Sequence, residues 1–177
     1  MPNSVSSLAI FDLDNTLLAG DSDHAWGEFL CANGHVDAQQ HQRLNDQFYQ
    51  AYCDGNLDID AYLQFALSAI AGKTPAELSQ LHADFMQQFI QPMRLKKADA
   101  LLQQHRENGD FLLIVTATND FITAPIAQAL GVDDLIASQA EIINGVYTGK
   151  PTGIPSFQDG KVERLKQWLS DRDFSLE

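Results

Sequence analysis

The sequence predicts an α/β fold, a doubly wound parallel sheet with an all-helical cap inserted after its first strand. Three observations carry this reading. A short apolar run, "SLAIF" (residues 7–11), is bounded by turn-like residues and reads as a buried strand. From Ser22 to about Met93 the pattern is helical, with almost no strand signal. Beyond that block helices and strands alternate, the order of βαβ units with right-handed crossovers.

Each element has its own signals. "HAWGEFLCANG" puts Trp26, Phe29 and Leu30 on one helical face, and Gly34 is the expected stop. "QQHQRLNDQFYQAYCDG" continues with Leu44, Phe48 and Tyr52 spaced by four. "IDAYLQFALSAIAG" is a further apolar helix ending at Gly72. In "TPAEL", Thr74 is a cap, Pro75 takes the first helical position and Glu77 completes a capping box. "KADALLQQHRENG" is a helix closed by Gly109, and "DFLLIVTAT" is a strongly apolar strand opening into a polar loop. "FITAPIAQALG" is a helix on condition that Pro125 falls in its first turn. "LIAS" is a short strand, "AEIINGVYTG" a hairpin signalled by Asn144-Gly145, and "DGKVERLKQWL" a helix.

Composition narrows the class. With 177 residues, 45% hydrophobic and 20% charged, the chain suits one globular domain or one domain with an insert. No apolar run reaches the roughly 20 residues that span a bilayer, and the N-terminus lacks the features of a signal peptide. A cytoplasmic protein is expected, with Cys31 and Cys53 as reduced core thiols. The net charge of −13 argues against nucleic acid and against anionic membranes as partners. An anionic substrate would need local attraction from a metal ion, a lysine or a helix N-terminus.

An insert after the first strand would stand over the C-terminal ends of the strands, where ligands bind in open α/β sheets. There, in "FDLDNTLLAGDSD", Asp12 and Asp14 follow the strand directly. Two acids so placed either form an Asx-rich turn or share a hard cation such as Mg²⁺. A strand followed by Asp12, Asp14, Thr16 and Leu17 resembles the first motif of the haloacid dehalogenase superfamily of phosphatases.

The resemblance implies a Rossmann-like core of residues 1–20 and 94–177 and a helical cap of residues 21–93. It implies that Asp12 is the nucleophile, forming an aspartyl-phosphate, and that Asp14 is the acid and base. Mg²⁺ would contact Asp12 through its carboxylate and Asp14 through its carbonyl. In the same comparison Thr116, ending "LLIVTAT", would bind a phosphoryl oxygen, with Thr118 and Asn119 nearby. Lys161, in "GKVERL", would hold the phosphate charge. A cation in the first turn of a helix opposes the dipole and asks for an anionic partner. Lys150 in "YTGKPTG" is the competing lysine.

The insert resembles the helical-cap branch that includes phosphoserine phosphatase, and the longer runs resemble bacterial hydrolases of that branch, among them histidinol-phosphate phosphatases. In that branch an acid nine positions after the nucleophile grips the substrate ammonium group, here Asp21. Asp21-Ser22 is equally a good helix cap, and His24 is either a pocket residue or an ordinary histidine. The implied substrate is a small phosphorylated metabolite, an amino-alcohol phosphate: histidinol phosphate first, phosphoserine second. The alternatives are a degenerate domain that binds phosphate ligands and a phosphotransferase or mutase. A phospho-acceptor regulatory module fits less well, because it carries its acceptor on a later strand and has no long insert. The family's fourth motif, further acids after another strand, is not found before Glu177, and "DFSLE" reads as the start of that strand. A missing C-terminal segment is the expectation. A molecule ending at Glu177 would bind Mg²⁺ weakly and turn over little.

Overall fold

The structure is a computed structural model that describes residues 7–172 and Phe174. Strand β1 (Leu8–Phe11) is followed by four helices: α1 (Ser22–Ala32), α2 (Ala38–Cys53), α3 (Ile59–Ser68) and α4 (Pro75–Phe85). A π-helical segment, Met86–Ile90, leads into the short α5 (Gln91–Met93) and then α6 (Lys96–Asn108). The remainder is β2 (Phe111–Asn119), α7 (Asp120–Leu130), β3 (Asp134–Ile143), β4 (Val146–Thr152) and α8 (Asp159–Leu169). The strands lie in the order β1-β2-β3-β4, parallel except for the β3–β4 pair. Among the described residues no helix is long and apolar enough to cross a membrane.

β2 shows why the sheet is covered on both faces. Successive side chains of a strand point to opposite faces, so a strand buried on both reads as a continuous apolar run. Leu112 and Ile114 pack with Leu102, Ile122 and Ile126 in the larger core. Leu113 and Val115 pack with Ile136, and Leu165 and Trp168 of α8 lie against them. Each such side chain contributes about 1.5–3 kcal/mol on burial.

The helical segment leaves and rejoins the sheet at one place. Leu18 bridges Arg94, and the Ala19 amide donates to the Met93 carbonyl at 2.8 Å. The larger core also runs into this segment: Trp26, Phe29 and Phe85 are buried, and the Trp26 ring meets Phe121 of α7 edge-on at 5.3 Å. The Thr74–Glu77 capping box is present, and Gly109 closes α6 in the left-handed conformation that a side chain would disfavour.

Several elements differ from expectation. "LIAS" and the first arm of the hairpin are one strand, β3. Its first half pairs with β2 and its second with β4, so the polar Ser138-Gln139 step that resembles a break is a change of partner. Pro125 lies in the second turn of α7, where it withholds the amide that would serve the Phe121 carbonyl. Nearby, buried His82 of α4 donates from Nε2 to the Ile122 carbonyl at 3.3 Å; burial lowers its pKa, and the Ile122 and Phe121 carbonyls oppose this. Cys31 is half-buried and Cys53 exposed, both free, so Cys53 is no core thiol. On α2 the buried residue is Asn45, whereas Leu44 and Phe48 are half-buried and Tyr52 is exposed. The "DFSLE" stretch, apart from Phe174, lies outside the described residues.

Candidate active site

The end of β1 sorts its residues by alternation. Leu13 is fully buried in the core, so Asp12 and Asp14 on either side of it face the other way. The loop then turns tightly: Leu17 and Leu18 amides donate to the Leu13 carbonyl, and Asn15 takes a positive φ of 55°, which asparagine tolerates. Asp12 stays half-exposed, its side chain 45% accessible.

Asp14 is held on both oxygens. Its Oδ1 accepts from the Ser22 amide at 2.7 Å, and its Oδ2 accepts from Thr118 Oγ1 at 2.8 Å and from Thr116 Oγ1 at 3.4 Å. Both threonines come from the C-terminal end of β2, two residues apart and so on one face. Burial pushes the Asp14 carboxyl up to about 6, the charge of Asp21 adds to this, and hydrogen bonds from Ser22 and Thr118 oppose it. A carboxyl so raised holds a proton far more readily than an exposed one, which suits an acid.

Lys161 reaches the same place from the first turn of α8, and its Nζ donates to Asp12 Oδ1 at 2.9 Å. The preceding Gly160 packs so closely that a Cβ there would stand 2.1 Å from the Pro155 carbonyl oxygen. Glycine is therefore required for α8 to start where it does. Lys150, exposed on β4, does not line this cavity.

A cavity joins these groups to the helical segment. Its floor is Asp12, Asp14, Thr116, Thr118 and Lys161, and its wall includes Asp21 and Asp23 of the α1 start. Phe48, Tyr49 and Tyr52 of α2 and Tyr62 of α3 also line it. Asp21 caps α1, accepting from the Asp23 and His24 amides at 3.0 and 2.8 Å. Burial raises its carboxyl, against the pull of those two amides. Burial also raises Asp23 well above the usual carboxylate range, and Asp21 and Asp14 push in the same direction.

Of the residues singled out from sequence, Asp12, Asp14, Asp21, Thr116, Thr118 and Lys161 converge on this cavity. Three stand outside it. Ser22 acts on Asp14 from outside the cavity lining, its amide donating at 2.7 Å and its buried hydroxyl also favouring the carboxylate. His24 turns to α2, where its Nδ1 accepts from Asn45 Nδ2 at 3.1 Å and its ring lies 4.5 Å from that of Tyr49. Asn119 is the buried cap of α7, accepting from the Ile122 amide at 3.2 Å. Asp23 and the four aromatic residues were not anticipated. The aromatic residues had one legible signal: three of them sit on a helix otherwise made mostly of polar residues.

For a hard cation the residues present supply Asp12 and Asp14, oxygen donors of the type Mg²⁺ prefers. Among the described residues no group of three or more His, Cys, Asp or Glu side chains could hold a metal ion. The donor chemistry fits Mg²⁺, and the described donors form part of a site.

Residues 9–177 match the family model of haloacid dehalogenase-like hydrolases. The chain is 42% identical to a histidinol-phosphatase of Neisseria meningitidis over 174 residues, covering 98% of this chain and 78% of the relative. It is 27% identical to a phosphoserine phosphatase of Mycobacterium tuberculosis and spans only 54% of that protein's length. A crystal structure of a protein with unknown function from Bordetella pertussis superposes with a TM-score of 0.88 at 41% identity, covering 98% of this chain and 78% of that one. The phospho-aspartyl intermediate analogue of a phosphoserine phosphatase superposes with a TM-score of 0.67 at 16% identity, covering 98% and 75%, a likeness of fold.

Proposed function

The chain belongs to the haloacid dehalogenase-like hydrolase family, and from that premise we propose that it hydrolyses phosphomonoesters of a small amino alcohol through an aspartyl-phosphate. The observation that carries this is the Lys161–Asp12 contact at 2.9 Å beside a doubly anchored Asp14 in one cavity.

Asp12, half-exposed and aimed into the cavity, attacks phosphorus with a carboxylate oxygen. The bond to the leaving oxygen breaks as Asp14, fixed by Ser22 and Thr118, gives that oxygen its proton and releases the alcohol. Asp14 then takes a proton from water, whose oxygen attacks phosphorus and frees Asp12 and inorganic phosphate. Lys161 neutralises charge on the phosphoryl oxygens throughout, and Thr116 offers one of them a hydroxyl. Asp12 and Asp14 would hold Mg²⁺, which when bound supplies charge neutralisation at the phosphoryl group. Histidinol phosphate is the first substrate, in keeping with the Neisseria relative, and phosphoserine the second. Residues 21–93 act as the cap that selects between them.

Release of inorganic phosphate from p-nitrophenyl phosphate and from a panel of phosphorylated metabolites tests this reading. Histidinol phosphate should exceed the aryl phosphate in kcat/KM, and chelation of Mg²⁺ should stop turnover reversibly. Asp12→Asn should lower kcat by about a thousandfold or more. An undiminished rate in that variant would remove Asp12 as the nucleophile.

A further inference from the structure

Asp23 is 5% exposed, yet it lines the cavity, and apart from the Tyr62 hydroxyl no group among the described residues serves its carboxylate oxygens. A buried carboxylate with so little compensation is costly, and such an under-satisfied group calls for a partner from outside the fold. What stands around it defines that partner. Tyr62 lies against Asp23 and favours its charged form. The Phe48 ring packs 5.3 Å from that of Tyr62, and Tyr52 lines the same wall. Acids and aromatic rings lining one cavity form a receptor for a cation, held by charge and by the ring quadrupoles.

The cavity also discriminates by what its lining lacks. Lys161 is the one cation among the described residues that line it, and Asp12 already pairs with it. Four carboxylates line the same space: Asp12, Asp14, Asp21 and Asp23. A substrate bearing its own carboxylate would meet like charges there and find no guanidinium or free ammonium to offset them.

Resting on the phosphatase reading, we infer that Asp23, with Tyr62 and the faces of Phe48 and Tyr52, is the subsite that sets specificity. It receives a cationic N–H-donating group of the substrate, distinct from an amine held by Asp21. The substrate class is therefore a phosphate ester with two basic nitrogens and no carboxylate. An amino alcohol carrying an imidazole has this chemistry. O-phosphoserine, with one amine and one carboxylate, does not.

Two measurements on the intact chain test the inference. Calorimetric titration with L-histidinol, which carries both nitrogens and no phosphate, reads the subsite without turnover. Asp23→Asn, close to isosteric, should weaken that binding about tenfold or more, since it removes a charged acceptor. Tyr62→Phe should weaken it less. Equal affinity in parent and variant, or no binding by the parent, overturns the subsite. Kinetics then supply the second reading. In Asp23→Asn the ratio of kcat/KM for histidinol phosphate to that for p-nitrophenyl phosphate should fall about tenfold or more, chiefly through KM. In the parent, O-phosphoethanolamine should be used in preference to O-phosphoserine, and the reverse order overturns the exclusion of carboxylates. A parent that hydrolyses no ester but binds histidinol through Asp23 would sink the phosphatase reading and leave the subsite standing.

Discussion

Ionising Asp23 costs the fold, because burial has raised its carboxyl well above the ordinary 3.8 and the Tyr62 hydroxyl offsets this only in part. The sign follows from linkage. A group whose folded pKa is raised contributes stability that is fully present below its unfolded pKa and is lost as pH rises through the folded one. The empty protein should thus lose stability as pH rises from below 4 through the raised value. Asp23→Asn has no proton to lose, so thermal melts should show it more stable than the parent at pH 8, with the gap closing towards pH 4. For a domain of this size each kcal/mol moves Tm by about 2–4 °C. Parallel pH profiles for the two proteins would show that Asp23 is not held ionised against a cost. The same residue explains why part of the site was not legible. An acid in a first helical turn reads as a favourable dipole partner, and nothing local reveals that it is buried. Asp12, Asp14, Thr116 and Lys161 were picked out by resemblance to family motifs, and the topology brings them together from the end of β1, the C-terminal part of β2 and the start of α8.

Elements carry these residues, and the crossing of α1 with α2 decides where the aromatic wall stands. A Cβ on Gly27 would lie 2.5 Å from three side-chain atoms of Asn45. Asn45 has little room to yield: it is 2% exposed, and its amide donates to the His24 carbonyl at 2.9 Å. Gly27→Ala should therefore push α2 outward and displace Phe48 and Tyr52. A stability loss of about 1–3 kcal/mol is expected from overpacking, read in thermal or urea melts. KM for histidinol phosphate should rise with it. A variant as stable as the parent would show that the crossing is loose. Caps and stops were legible at this scale because they are local: the Thr74–Glu77 box and Gly109 depend on a few neighbouring residues. The double pairing of β3 and the tolerated Pro125 were not, since each depends on elements beyond the local stretch: β2, which takes the first half of β3, in one case, and α4, whose His82 lies beside the start of α7, in the other.

At the scale of the whole molecule the net charge of −13 works against the reaction proposed for the cavity. A phosphate ester approaches through a repulsive field, and only at short range would it meet Lys161 and a cation held by Asp12 and Asp14. Repulsion between separated charges is screened by salt, with a Debye length falling from about 30 Å at 0.01 M to about 8 Å at 0.15 M. The short contacts inside the cavity are screened much less. With Mg²⁺ held saturating, kcat/KM for p-nitrophenyl phosphate should therefore rise with ionic strength over this range. For a substrate that carries two basic nitrogens the rise should be smaller, because its own positive charge already offsets the repulsion. The difference between the two slopes separates the global field from the local receptor. A fall with salt for the aryl phosphate would mean that the cavity's cations dominate even at a distance. In that case the −13 is distributed where an arriving substrate does not sense it, away from the mouth lined by Asp12 and Lys161.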